Sequence, residues 1–173
     1  METTINRKTP LSEVLELGKT CSACGHCCRH GSGCLVRGDL AQIAKKLGMT
    51  EKEVKDKYLE KNEKFHTVLL KPRLIKEEGK PYGKCVFLSP DNKCSIHDAK
   101  PMQCRTGNCS EHGEDLNLWF ILTHHLNEND PESVRQYAIY LKCGGKTLPG
   151  WELENMIKDK IKLKKILDYN IMR

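Results

Sequence analysis

Four cysteines stand within eight residues near the start of the chain, in the stretch "CSACGHCC": Cys21, Cys24, Cys27 and Cys28. The six other cysteines are Cys34, Cys85, Cys94, Cys104, Cys109 and Cys143. Thiols spaced this closely are typical of four kinds of chemistry, namely zinc binding, iron–sulfur binding, disulfide formation and nucleophilic attack on a substrate. Their exact spacing separates these possibilities.

The run Cys21-x2-Cys24-x2-Cys27 has the spacing of the first three ligands of a ferredoxin-type iron–sulfur cluster. Two-residue spacers let a short loop wrap around one cubane and direct its sulfurs to different irons. A fourth thiolate must then come from elsewhere in the chain. We expect the adjacent side chains of Cys27 and Cys28 to diverge and to serve two clusters or two parts of a larger one. The candidates for the remaining thiolates are Cys28, Cys85, Cys94, Cys104, Cys109 and Cys143.

Zinc is the nearest alternative to iron–sulfur. A structural zinc site usually takes two closely spaced cysteine pairs, and the later cysteines do not supply a second C-x2-C. Histidines near the cysteines could complete a zinc ligand set, and they are His26, His30, His97 and His112. Disulfides are disfavoured because we expect a reducing compartment, and no single cysteine is marked as a nucleophile by a base beside it.

Composition and charge narrow the classes of function. The 173 residues suffice for one compact domain, but only 6% are aromatic and 38% apolar, so we expect a modest core to which the cysteine site adds stability. The net charge of +6 arises from 29 basic and 23 acidic residues, without the aromatic–basic interleaving of a nucleic-acid surface. The first 20 residues lack the apolar segment of a secretory signal, and no apolar run reaches the ~18 residues of a membrane span. We therefore expect a cytoplasmic, non-transmembrane protein.

The elements that position the cysteines follow from hydrophobic periodicity and capping signals. We expect helices at 11–17, 39–47 with Asp39 as cap, 50–61 with a Thr50–Glu53 capping box, 114–128, 131–142 behind Asp130, and 151–170. Short strands are predicted at 67–71 and 72–76, and a hairpin at 84–97. The fold class is thus α+β: a small, mostly helical single domain with a short β-hairpin, organised around a cysteine-ligated metal cluster. We divide the chain into a lead-in at 1–20, a cysteine-cluster domain at 21–148 and an amphipathic basic helix within 149–173.

Several stretches occur together in an order that resembles a known family. They are "CSACGHCC", "DLAQIAKKLGMTEKEVKDKYL", "CVFLSPDNKCSIHDAKPMQCR" and "CGG". The chain is similar to the YkgJ-type CxxCxxCC family of zinc- or iron-chelating cysteine-cluster domains. Two departures flank cysteines, since "TGNCSEHG" replaces the family's aromatic-proline segment and no proline follows Cys143. The resemblance implies eight cofactor-binding and metal-ligating residues, with Cys34 and Cys109 as extras: Cys21, Cys24, Cys27, Cys28, Cys85, Cys94, Cys104 and Cys143.

The resemblance strengthens the iron–sulfur interpretation. Eight thiolates would suit two 4Fe-4S cubanes or one larger fused cluster, and one cubane with four spare thiols is a further alternative. Zinc remains the alternative cofactor. Arg29 and Arg105 each follow a cluster cysteine and could offset the negative charge of a cluster.

We predict an accessory protein that transfers electrons or senses redox state or oxygen, and that docks on a larger enzyme complex of anaerobic metabolism, including one at a membrane. The alternatives are an iron–sulfur oxidoreductase of unknown substrate and a zinc-stabilised interaction module. The sequence shows no dinucleotide fingerprint, no P-loop and no nucleic-acid-binding motif.

Overall fold

A computed structural model describes residues 4–109 and 111–168. Within these ranges the chain forms nine α-helices, one short 3-10 helix and two two-stranded antiparallel sheets, so the α+β prediction is confirmed. The helices are α1 (Leu11–Gly18), α2 (His26–His30), α3 (Asp39–Leu47), α4 (Glu51–Tyr58), α5 (Met102–Thr106), α6 (Gly113–His124), α7 (Pro131–Lys142), α8 (Leu153–Met156) and α9 (Lys160–Leu167). The strands are β1 (Leu59–Lys64), β2 (Thr67–Pro72), β3 (Leu74–Lys76) and β4 (Gly83–Cys85), and the 3-10 helix is His97–Ala99.

The capping signals locate several helices correctly. Thr50 and Glu53 form the predicted reciprocal capping box at the start of α4. Asp130 caps α7 through a bond from the Glu132 N–H, and Pro131 occupies the first helical position. Such signals act within one turn of chain, which is why they can be read without knowledge of the tertiary fold.

The predicted helix at 50–61 is too long. It ends at Tyr58, and β1 begins at Leu59 and pairs antiparallel with β2 in a register that joins Lys64 to Thr67. The two-residue turn between them, Phe65–His66, has positive φ at both positions, as in the tight turns that match the twist of a hairpin. Burial of the Phe65 ring, which is 6% exposed, fixes this turn against the core.

The hairpin predicted at 84–97 is shown only in part. β4 pairs with β3, in a register that joins Leu74 to Cys85. Beyond β4 the chain turns back through a single bridge between Leu88 and Cys94, and the Ser95 N–H donates to the Phe87 carbonyl at 2.9 Å. This short turn brings Cys85 and Cys94 to the same side of the domain.

The single helix predicted at 151–170 is wrong within the described residues. α8 and α9 are separated by Ile157–Asp159, and Asp159 caps α9 by accepting bonds from two backbone N–H groups. Ile157 is buried with Val134 of α7, whereas Ile161 is 71% exposed. Residues 169 and 170 lie outside the described residues.

Two main apolar cores flank the cysteine region. One packs α6 and α7 against α1 around Phe120, Tyr137 and Val14. The other packs α3 and α4 against the chain around Phe87 and Ile96. Cys85 lies in the second core, and Cys28 and Cys94 pack against it, so contacts with this core position the three side chains. No helix in the described ranges is long and apolar enough to cross a bilayer.

Candidate metal centre

Seven cysteines line one cavity of about 430 Å³. They come from three distant parts of the chain: the loop and helix at 21–28, the turn at 85–94, and α5 with the residues that follow it. Six of them belong to the eight ligands that the family resemblance implies, and the seventh, Cys109, was a candidate from spacing alone. The seven are Cys21, Cys27, Cys28, Cys85, Cys94, Cys104 and Cys109.

The three other cysteines do not line this cavity. Cys24 is exposed at its rim, where its sulfur accepts bonds from the His26 N–H and the Ser22 hydroxyl. Cys143, a predicted ligand, is exposed at the C-terminal end of α7, where its N–H donates to the Ile139 carbonyl at 3.0 Å. Cys34 is buried in the first core and accepts a bond from the Asn62 side chain.

Helix α2 carries the adjacent cysteines, and its position depends on Gly25. Gly25 precedes the helix with φ +72°, and a Cβ there would lie 2.4 Å from the Asn92 carbonyl oxygen. Arg29 also donates from Nε to Asn92 Oδ1 at 3.2 Å. The turn at 89–93 thus holds α2 against the hairpin that carries Cys85 and Cys94.

Helix α5, which carries Cys104, is held by a buried carboxylate. Asp39 accepts bonds from the Met102 N–H at 2.8 Å and the Val36 N–H at 2.9 Å, and it pairs with Arg105 at 2.7 Å. Gly38, not Asp39, occupies the capping position of α3. Asp39 therefore fixes the start of α5 to that of α3, and Arg105 is committed to this buried partner.

Gly33 permits a close approach of backbone to thiol in the cavity. Its N–H donates to the Cys104 sulfur, and a Cβ at this position would lie only 2.6 Å from that sulfur. The neighbouring Cys34 N–H donates to Gln103 Oε1 at 2.7 Å. The segment at 33–34 and helix α5 are therefore locked side by side.

A repeated backbone pattern supplies hydrogen bonds to the sulfurs. The N–H of the residue two positions later donates to the thiol at Cys24, Cys85 and Cys94, from His26, Phe87 and Ile96 respectively. An N–H donor favours the charged form of a thiol, and hydrogen bonds to sulfur are among the means by which proteins tune iron–sulfur clusters. Turns that present N–H groups to successive sulfurs thus suit thiolates better than neutral thiols.

The adjacent cysteines, Cys27 and Cys28, line the same cavity, and each changes the pKa of the other. The Cys28 thiol donates a hydrogen bond to the Cys27 sulfur and thereby lowers the pKa of Cys27 to about 6. The same bond, together with burial, raises the pKa of Cys28. Burial and Cys27 favour the protonated form of Cys28, so a metal that binds both sulfurs must displace the Cys28 proton.

Burial acts against the deeper thiols. It raises the pKa of Cys85 to about 11 and that of Cys104 to about 12, and it also raises the pKa of Cys94. Part of the Cys104 side chain is reached from the cavity, but the surrounding protein still desolvates its sulfur. Lys100 lines the cavity, and its charge favours the thiolate of Cys27 and of Cys94. Sequence reasoning selected the neighbouring arginines and missed this lysine, which three-dimensional proximity alone identifies.

The model of the CxxCxxCC family, described as "Putative zinc- or iron-chelating domain", matches residues 20–133. The chain belongs to the CxxCxxCC family. The matched region contains the seven cavity cysteines and ends before Cys143. No curated protein and no solved structure shows significant similarity to the chain.

The donor set of this CxxCxxCC domain fits a chelated metal. The cavity presents seven soft sulfur ligands, of the kind that zinc, copper(I) and iron–sulfur clusters prefer. Among residues 4–109 and 111–168, no three Cys, His, Asp or Glu side chains form a group that could hold a single metal ion as they stand. The thiols surround a space, and its volume of about 430 Å³ is that of a small ligand.

Proposed function

We propose that the cysteine cavity binds one or more iron–sulfur clusters and that the chain acts as an iron–sulfur accessory protein. The single observation that supports this most is the arrangement of seven thiols around one cavity of about 430 Å³. A zinc ion needs four ligands at about 2.0–2.3 Å and no cavity, whereas a cluster that contains several irons and sulfides needs both room and more widely spaced thiolates. The C-x2-C-x2-C run at 21–27 supports the same choice.

A bound cluster would supply one-electron redox chemistry. The residues of this chain would hold it and set its potential. The N–H donors of Gly33, Phe87 and Ile96 reduce the negative charge on the sulfurs they contact, and the Lys100 ammonium does so through space. Both effects favour the more negative, reduced state of a cluster, and so raise its reduction potential.

The accessory role, rather than an enzymatic one, rests on the chain around the cavity. The sequence offers no nucleotide-binding fingerprint to supply hydride or phosphoryl chemistry. Helix α9 presents exposed lysines together with Ile161, which is 71% exposed, and this combination suits docking on an acidic protein surface. We therefore propose electron transfer or redox or oxygen sensing in complex with a larger cytoplasmic or membrane-peripheral enzyme of anaerobic metabolism.

Anaerobic purification followed by metal and acid-labile sulfide analysis tests the cofactor. We expect about four to eight irons per chain, matched by sulfide, and a broad visible absorption that dithionite bleaches. Cys104→Ala should lower the iron content strongly, whereas Cys34→Ala, which removes a buried thiol outside the cavity, should leave it unchanged. A colourless protein that carries zinc and no sulfide would replace this proposal with the zinc-stabilised module.

Purification at native expression levels tests the accessory role separately. A stable complex with a larger enzyme is expected, and its formation should weaken with added salt because exposed charges are screened. Reversal of charge at Lys162 and Lys165 should weaken the complex without loss of iron. A monomer that turns over small molecules without a partner would favour the oxidoreductase instead.

A further inference from the structure

Cys109 lies at the cavity although nothing in the family pattern assigns it a role. It follows α5, and two contacts hold its neighbours in place. Asn108 donates from Nδ2 to the Gly18 carbonyl at 2.9 Å, which ties the segment to the end of α1 just before Cys21. Gly113 packs against the same residue so closely that a Cβ would lie 1.8 Å from the Asn108 carbonyl oxygen. Cys109 is therefore positioned by contacts with the very segment that begins the cysteine run.

The Cys109 thiol lines the same cavity as Cys21 and Cys27. Burial raises the pKa of Cys109, and the charges of Cys27, Cys24 and Cys21 raise it further. Together with Cys109, the first three cysteines of the run form what we term the outer set: Cys21, Cys24, Cys27 and Cys109.

The four other cysteines at the cavity form a second group, which we term the inner set: Cys28, Cys85, Cys94 and Cys104. The charges of Cys104 and Cys85 act on Cys28, and those of Cys85 and Cys94 act on Cys104. Cys27 acts on all four members of this set, so it lies between the two sets. The hydrogen bond between Cys27 and Cys28 joins the inner set to the outer one. Each set thus has four thiols, as many as one four-iron cluster requires.

We propose that Cys109, and not Cys143, completes the metal-binding thiols as the fourth member of the outer set. This inference rests on the proposed metal-binding function and specifies its ligands. Cys143 is exposed at the end of α7, does not line the cavity, and lies beyond the matched family region. The segment at 107–109, which follows α5 and where the sequence departs from the family's usual continuation, thus brings its own thiol to the site.

Thiol alkylation of the wild-type protein tests the assignment without any substitution. Cys109, Cys143 and Cys24 are all exposed, so iodoacetamide can reach each of them and only metal ligation should distinguish them. In the metal-loaded protein under anaerobic conditions, Cys109 and Cys24 should react at least about tenfold more slowly than after chelation, because a metal-bound thiolate is a poor nucleophile. Cys143 should react at the same rate in both forms. Peptide mass spectrometry measures each rate.

Cys109→Ser and its matched control Cys143→Ser provide the second measurement, with Cys24→Ser as a positive control. Cys109→Ser should bind less metal per chain than the wild type, as Cys24→Ser should, whereas Cys143→Ser should bind the wild-type amount. Because both thiols are exposed, neither substitution removes core packing, and urea unfolding of the metal-free variants checks this. Equal reaction rates of Cys109 with and without metal, protection of Cys143, or wild-type metal content in Cys109→Ser would each overturn the inference.

The same samples separate this inference from the iron–sulfur proposal. Zinc without sulfide would refute the iron–sulfur function, yet protection of Cys109 in that zinc protein would still support the ligand assignment. Iron and sulfide together with an unprotected Cys109 would support the iron–sulfur function and refute the ligand assignment. A protein that binds neither iron nor zinc would refute both the iron–sulfur function and the ligand assignment.

Discussion

Gly33→Ala tests whether the contact between Gly33 and Cys104 positions the site. The added Cβ would lie 2.6 Å from the Cys104 sulfur, 2.8 Å from its backbone nitrogen and 3.0 Å from the Gln103 Cβ. Carbon atoms pack at about 3.5–4.0 Å, so the two segments would have to separate by about 1 Å. The bond from the Cys34 N–H to Gln103 Oε1, now 2.7 Å, would lengthen with them.

The size of the effect follows from three contributions. Overpacking of this kind costs about 1–3 kcal/mol, and a weakened hydrogen bond about 1 kcal/mol more. The lower chain entropy of alanine in the unfolded state offsets about 0.4–1 kcal/mol. We therefore expect Gly33→Ala to lower the free energy of unfolding by about 1–3 kcal/mol, which is a large share of the stability of a typical domain.

Gly31→Ala is the matched control. Gly31 has an extended backbone with φ −177°, and a Cβ there would meet nothing within 4 Å. Its unfolding free energy should stay within about 1 kcal/mol of the wild type. Urea unfolding of the reduced, metal-free proteins measures both variants, and metal content per chain measures whether Cys104 is still in place. An unchanged unfolding midpoint in Gly33→Ala, or an equal loss in Gly31→Ala, would refute the reasoning.

Three further predictions follow from single contacts. Asp39→Asn should lower the free energy of unfolding by about 2–4 kcal/mol, because it disrupts a buried, fully bonded carboxylate. The control Asp98→Asn, which disrupts an exposed ion pair, should lower it by less than about 1 kcal/mol. Equal losses in the two variants would contradict the role of Asp39. In the reduced, metal-free protein, the rate of Cys27 alkylation should increase with pH around its lowered pKa of about 6. Cys28→Ala should shift this increase to higher pH, because the Cys28 thiol is what lowers the pKa of Cys27. An unchanged pH profile in Cys28→Ala would exclude the Cys28 hydrogen bond as the cause. Thr50→Ala should cost about 1 kcal/mol in urea unfolding and Thr50→Ser much less, whereas equal losses would argue against the capping box.

Local signals account for the parts of the fold that the sequence predicted well. Thr50 and Asp130 each satisfy backbone N–H groups within one helical turn, so their effect depends little on the rest of the chain. The errors arise where tertiary contacts decide. Leu59 continues a helical pattern, yet the chain leaves α4 there because pairing with β2 and burial of Phe65 favour a hairpin.

The site shows the same division. Spacing alone predicted a metal-binding run of Cys21, Cys24 and Cys27, and Cys21 and Cys27 line the cavity. The family resemblance added the later cysteines that line it. The place of Cys109 could not be read from spacing, because it depends on contacts between residues that are some ninety positions apart, such as the bond from Asn108 to Gly18. The assignment of Cys143 as a ligand stays a prediction, and the alkylation experiment addresses it.

The distribution of the cavity cysteines along the chain has a consequence for synthesis. The cavity is lined by residues from Cys21 to Cys109, about ninety positions apart. At about 5–20 residues per second, a ribosome needs several seconds to extend the chain from the first of these thiols to the last. During that interval the first four cysteines are present on the nascent chain without the backbone N–H groups and thiols of the later segments. The cavity can therefore form only after most of the chain has been synthesised, and until then the early thiols depend on the reducing power of their surroundings or on a carrier to remain unmodified.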